Sequence, residues 1–90
     1  MNSSEVKTTV VNVIKEIAEL QDVQLPASIK DKHEIVDDLG FTSLYVAALV
    51  ANLEEELGID PFEDEDVMIT DIRTVKDVVE VYTKSLALNG

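Results

Sequence analysis

The sequence predicts an all-α fold: three principal helices and a short fourth, with a long loop after the first helix. Three observations predict it. Apolar residues recur at three- and four-residue intervals in three separate segments. No segment alternates apolar and polar residues as a half-buried strand would, and there is no internal repeat. Residues that start and stop helices stand at the edges of the periodic segments.

The first helix is expected over 4–20. Val6, Val10, Val13, Ile14, Ile17 and Leu20 fall at helical spacings, with Lys7, Asn12, Lys15, Glu16 and Glu19 between them. Ser3 or Ser4 suits its cap, and Glu5 suits the positive end of the helix dipole. The periodicity breaks over 21–40. Pro26 opens this loop, Gly40 ends it, and Ile29, Ile35, Val36 and Leu39 are its expected anchors on the core.

The second helix is expected over 43–57, with Thr42 as N-cap and Gly58 just past its end. Leu44, Ala47, Val50, Leu53 and Leu57 form the expected core stripe, leaving Tyr45 and Ala48 toward water. Asp60-Pro61-Phe62 cannot continue that helix. Residues 63–68 are expected to make one or two turns. Thr74-Val75-Lys76-Asp77 has the form of a capping box, with Asp in place of the usual Glu. It opens a last helix to about residue 86, with Val75, Val78, Val79, Tyr82 and Leu86 inward.

Ninety residues make one domain, 1–90, with a core over about 4–86. Nineteen acidic residues against seven basic ones give a net charge of -12. That excess argues against nucleic acid and anionic membrane surfaces and points to protein partners with basic patches. No basic segment followed by an apolar run opens the chain, and no run is long enough to span a bilayer. A cytoplasmic monomer is the expectation, and the lack of cysteine excludes disulfides and protein thiolates.

Catalytic and metal chemistry are poorly provided for. His33 is the single histidine, with Asp31 and Glu34 beside it. A nucleophilic triad needs serine, histidine and an acid converging in a pocket, and a bundle this small has little room for one. The chain is expected not to be an enzyme. Asp60, Asp64, Asp66 and Asp71 crowd one segment, but counting a calcium loop from Asp60 puts Phe62 third and Glu65 where glycine is needed. No metal site is expected.

The stretch Leu39 to Val50, "LGFTSLYVAALV", is apolar except for the pair Thr42-Ser43. One hydroxyl is enough to cap the helix. A second, at a helix N-terminus, lies where unpaired backbone N–H groups and the dipole favour an attached phosphate. The apolar turns that follow suit a surface presented to a partner.

With "DDLGFTSL", "LEEELGI" and the later "TVKDVVEVY" in this order, the chain resembles the acyl carrier protein family over roughly residues 4–86. The resemblance implies a four-helix bundle of acyl-carrier type with a short third helix. It implies that a phosphopantetheinyl transferase attaches 4′-phosphopantetheine from coenzyme A to Ser43. The arm's thiol would then carry an acyl or aminoacyl thioester to partner enzymes with basic patches. Those enzymes would belong to fatty acid, polyketide, nonribosomal peptide or other specialised acyl biosynthesis.

Two departures bear on this. Thr42 stands where the family usually has aspartate. Tyr45 and Ala48 stand where fatty acid carriers usually bear acids, while Glu54, Glu55 and Glu56 remain. These departures suggest a dedicated pathway rather than housekeeping fatty acid synthesis. The segment from Gly58 to Val75 is also about three residues longer than usual. The expected partner stripe is Tyr45, Ala48, Asn52, Glu55 and Glu56. The competing readings are an unmodified acidic helical adaptor docking through the second helix and an acidic protein that blocks a basic site.

Overall fold

The computed structural model describes residues 3–63 and 72–89. Helix α1 spans Ser3–Gln21, α2 spans Ser43–Leu57 and α3 spans Val75–Asn89, with a single 3-10 turn at Pro61–Glu63. Helix α1 packs on both α2 and α3. Its inward residues are Val6, Val10, Val13, Ile14, Ile17 and Ala18. The expected turns over 63–68 lie, apart from Glu63, outside the described residues.

Helix α1 ends by a defined motif. Asp22 takes a left-handed conformation, φ 56°, and the N–H of Val23 donates to the carbonyl of Ala18 at 2.8 Å. Val23 is thereby folded back onto the core. Leu20, expected inward, is 81% exposed, because the inward face of α1 in its last turns runs through Ile17 and Ala18. Ser3 and Ser4 are the first described residues of α1.

The long loop is anchored by Ile35, Leu39 and Phe41, each about 1% exposed, and partly by Val23, Leu25 and Ile29. Val36 was expected among the anchors but is 56% exposed. The turn that buries Ile35 and Leu39 carries Val36 to the other side. The loop also pairs with the chain entering α3. Glu34 and Thr74 form an isolated antiparallel bridge, and the N–H of Ile35 donates to the carbonyl of Arg73 at 2.8 Å.

The capping box of α3 forms as the sequence suggests. Thr74 Oγ1 accepts the N–H of Asp77 at 3.2 Å, and Asp77 Oδ2 accepts the N–H of Thr74 at 3.1 Å. Val75, Val78, Val79 and Tyr82 are buried, and Leu86 is partly so. The Tyr82 hydroxyl donates to the carbonyl of Val50 at 3.4 Å, tying α3 to α2.

Helix α2 is rotated from its expected phase. Leu49, Val50 and Leu53 are its buried residues, while Leu44 is 72% exposed and Ala47 is exposed. The run Leu44–Val50 is apolar all round, so periodicity alone does not select a face. Tyr45 and Ala48 instead pack partly against the core, and Leu57 does the same.

Candidate functional site

The junction between the long loop and α2 is built from both sides. Gly40 adopts φ 75°, a backbone conformation that side chains rarely take, and turns the chain toward α2. Phe41 then enters the core, and its N–H donates to the carbonyl of Ile35 at 3.1 Å. Its ring meets that of Tyr45 edge to face, with centroids 6.0 Å apart. Sequence reasoning missed Phe41 as an anchor, although an aromatic between a turn glycine and a helix cap is a usable signal for one.

Thr42 is the N-cap, with extended backbone, φ -81° and ψ 170°. Its Oγ1 accepts the N–H of Tyr45 at 3.3 Å, and its carbonyl accepts the N–H of Val46 at 2.9 Å. The cap is thus supplied by Thr42, which leaves the second hydroxyl free of structural duty. Ser43 is the first residue of α2, is exposed, and its hydroxyl has no partner among the described residues.

The two ends of α2 differ in character. Its outward face begins with Leu44, Ala47 and Ala51, residues one helical turn apart. It ends in Glu54, Glu55 and Glu56, and the helix contains no basic residue. Glutamates in a last turn face the negative end of the dipole, an arrangement that does not stabilise the helix. Gly58 closes it at φ 70°, its N–H donating to the carbonyl of Glu54 at 2.8 Å. Asn52, Glu55 and Glu56 of the expected partner stripe are exposed, whereas Tyr45 and Ala48 are half-buried. Leu44 was missed as a surface residue.

The remaining candidates do not converge on Ser43. His33 Nδ1 accepts the N–H of Lys30 at 3.0 Å within its own loop. Asp60 Oδ1 accepts the N–H of Phe62 at 3.0 Å, and Asp64, Asp66 and Asp71 lie outside the described residues. Among the described residues no group of three His, Cys, Asp or Glu side chains could hold a metal ion. No described helix is long and apolar enough to cross a membrane.

Fold and junction together define a helical carrier domain, with an exposed primary hydroxyl at the start of a helix whose N-terminus favours an adjacent phosphate. A family model described as a phosphopantetheine attachment site matches residues 8–81. Among solved structures, the chain is similar to MacpD, an acyl carrier protein from Pseudomonas fluorescens involved in mupirocin biosynthesis. The two share 32% identity at a TM-score of 0.80, over 91% of this chain and 71% of the MacpD chain. A search of curated proteins finds no match. The chain belongs to the acyl carrier protein family, whose members bear covalently attached 4′-phosphopantetheine. As a carrier protein it works with phosphopantetheinyl transferase and synthase enzymes.

Proposed function

We propose that Ser43 carries the 4′-phosphopantetheine arm and that the protein serves a specialised acyl pathway, of polyketide type, in the cytoplasm. The observation that carries this reading is the division of labour between adjacent hydroxyls. Thr42 caps α2, while Ser43 stands exposed beside it with no partner among the described residues. In the modification, Ser43 Oγ bonds to the phosphorus bearing the pantetheine arm of coenzyme A. The bond from that phosphorus to the bridging oxygen breaks, and 3′,5′-bisphosphoadenosine leaves. The serine proton passes to a base of the transferase.

The reading of a specialised pathway draws support from the likeness to MacpD, a carrier involved in mupirocin biosynthesis, and from the non-acidic Thr42, Tyr45 and Ala48. The partner surface in this reading is the outer face of α2: apolar from Leu44 to Ala51, then acidic at Glu55 and Glu56, with Asn52 at its margin and Tyr45 and Ala48 supporting it from beneath. A carrier raises the effective concentration of its cargo at each partner's active site, so a steering charge and a small anchor suffice.

The test is intact mass after incubation with coenzyme A and a broad-specificity transferase. Wild type gains one arm, and Ser43→Ala gains none while keeping its helical circular dichroism. An equal gain in a folded Ser43→Ala protein moves the site elsewhere. A wild type that no transferase modifies favours the unmodified adaptor.

A further inference from the structure

Resting on the reading of basic partners above, we infer that one side of the molecule sets the orientation in which such a partner docks. Residues 3–7, 30–34 and 73–80 form a charge-balanced face that a basic partner leaves uncovered, so that the partner is drawn onto α2. Seven basic residues serve the whole chain, and five of them, Lys7, Lys30, Lys32, Arg73 and Lys76, fall in these three short segments. The same segments hold five acids, Glu5, Asp31, Glu34, Asp77 and Glu80. With His33 uncharged the face is balanced, and the net charge of -12 lies wholly on the remaining residues.

The three segments meet in space. Lys7 pairs with Asp31 at 2.8 Å, and Glu34 pairs with Arg73 at 3.3 Å. The N–H of Lys76 donates to the carbonyl of Asp31 at 3.0 Å. Lys7, Asp31, Lys76 and Glu80 line one cleft with Ser4 and Val79, and among the described residues α2 contributes none to it. The side chains of Arg73 and Lys76 are 74% and 64% exposed, and Lys30 and Lys32 are exposed on the loop. Ion pairs this open to water add little to stability. What they change is the field outside, because the acids of this face are offset by cations of the same face.

Helix α2 is the opposite case. It holds no basic residue and ends in Glu54, Glu55 and Glu56. Exposed Asp37 and Asp38, on the turn that leads to Gly40 and Ser43, add acid on the approach to the same helix. A cationic surface is therefore pulled toward α2 and not toward the balanced face. Without the five cations the acids of that face would pull as well. The partner would then be held in orientations centred away from α2, where Ser43 begins.

The test is steady-state arm transfer from coenzyme A by a broad-specificity transferase to wild type and to the double variant Lys30→Glu/Lys32→Glu, at low and at high salt. A carrier held the wrong way round occupies the enzyme without reacting. At low salt kcat of the variant is expected to fall about threefold and KM to fall with it, so that kcat/KM holds, and both return to wild type at high salt. An unchanged kcat, or a kcat that falls while KM does not, would overturn the orienting role. Wild type gives a second readout that needs no transferase: amide relaxation by a cationic and by an anionic nitroxide at low salt. The amides of Asp31 and Lys32 are expected to respond equally to the two probes, and those of Glu55 and Glu56 several-fold more to the cation. The same preference for the cation at both places would also overturn it. A wild type that no transferase modifies would fail the Ser43 assignment, and the nitroxide map would still decide the balanced face.

Discussion

Phe41 and Tyr45 meet edge to face at 6.0 Å across the turn that presents Ser43. One ring is buried at the end of the loop, and the other is half-buried on the first turn of α2. The pair ties the residues on both sides of the serine to the core, so Ser43 is held out on a braced corner. Loop mobility near the hydroxyl is limited without covering it.

The pair should be visible in stability. Phe41→Ala is expected to cost about 3–5 kcal/mol, the range for truncating a buried aromatic. Tyr45→Ala is expected to cost less, about 1 kcal/mol, because the ring is half-exposed. In a double-mutant cycle by urea unfolding the two losses should fall short of additive by about 0.5–1.5 kcal/mol. Strict additivity would mean that the rings brace the corner independently.

Tyr82 gives a pH dependence with a definite sign. Burial pushes its phenol well above the usual tyrosine range, and Glu54 and Asp60 push it further. The native state therefore favours the protonated form. That contribution is fully present below the unfolded-state value, about 10, and is lost as pH rises above it. Tyr82→Phe is expected to flatten the alkaline decline in stability. At neutral pH it should cost no more than about 1 kcal/mol, since the bond to Val50 is long. Chemical denaturation from neutral to strongly alkaline pH measures both, and an unchanged alkaline slope would remove Tyr82 from the account.

The helices and the serine junction were legible in the sequence because their signals are local. Thr42, Gly58 and the Thr74–Asp77 box mark helix ends through contacts within three or four residues. The phase of α2 was not legible, because Leu44 to Val50 offers an apolar side in every direction. A contact distant in sequence bears on the face: Tyr82 reaches Val50. The loop anchors were half legible, since Ile35 and Leu39 are buried but neighbouring Val36 is not. The pairing of Glu34 with Thr74 spans forty residues and leaves no pattern to read.

Thr42 separates capping from recognition. Its hydroxyl caps α2 through the N–H of Tyr45, so Thr42→Ala is expected to cost about 1 kcal/mol. Thr42→Asp keeps the cap and adds a negative charge at the positive end of the dipole, with stability unchanged or slightly raised. Where a broad-specificity transferase reads charge beside the serine, Thr42→Asp should be modified faster than wild type, and more so at low salt. The check is the initial rate of arm transfer at two ionic strengths. A rate that does not change would show that the threonine is no handicap to recognition.

The outer face of α2 predicts two separable kinetic effects on partner binding. Leu44 is 72% exposed at the apolar end, and Glu55 and Glu56 are exposed at the acidic end. Charge acts at a distance and steers encounter, so Glu55→Lys or Glu56→Lys should slow association, most at low salt. An apolar side chain acts only on contact, so Leu44→Ala should speed dissociation with little salt dependence. Because Leu44 is outside the core, that variant should unfold at the same urea concentration as wild type. Tyr45→Ala serves as the contrast, since its half-buried ring makes it lose stability as well. The measurement is association and dissociation against a transferase that modifies the protein, at two ionic strengths. If Leu44→Ala leaves dissociation unchanged and the lysine reversals leave association unchanged, α2 is not the docking face. The exposed Val36 on the long loop, on the approach to Ser43, then becomes the next position to truncate.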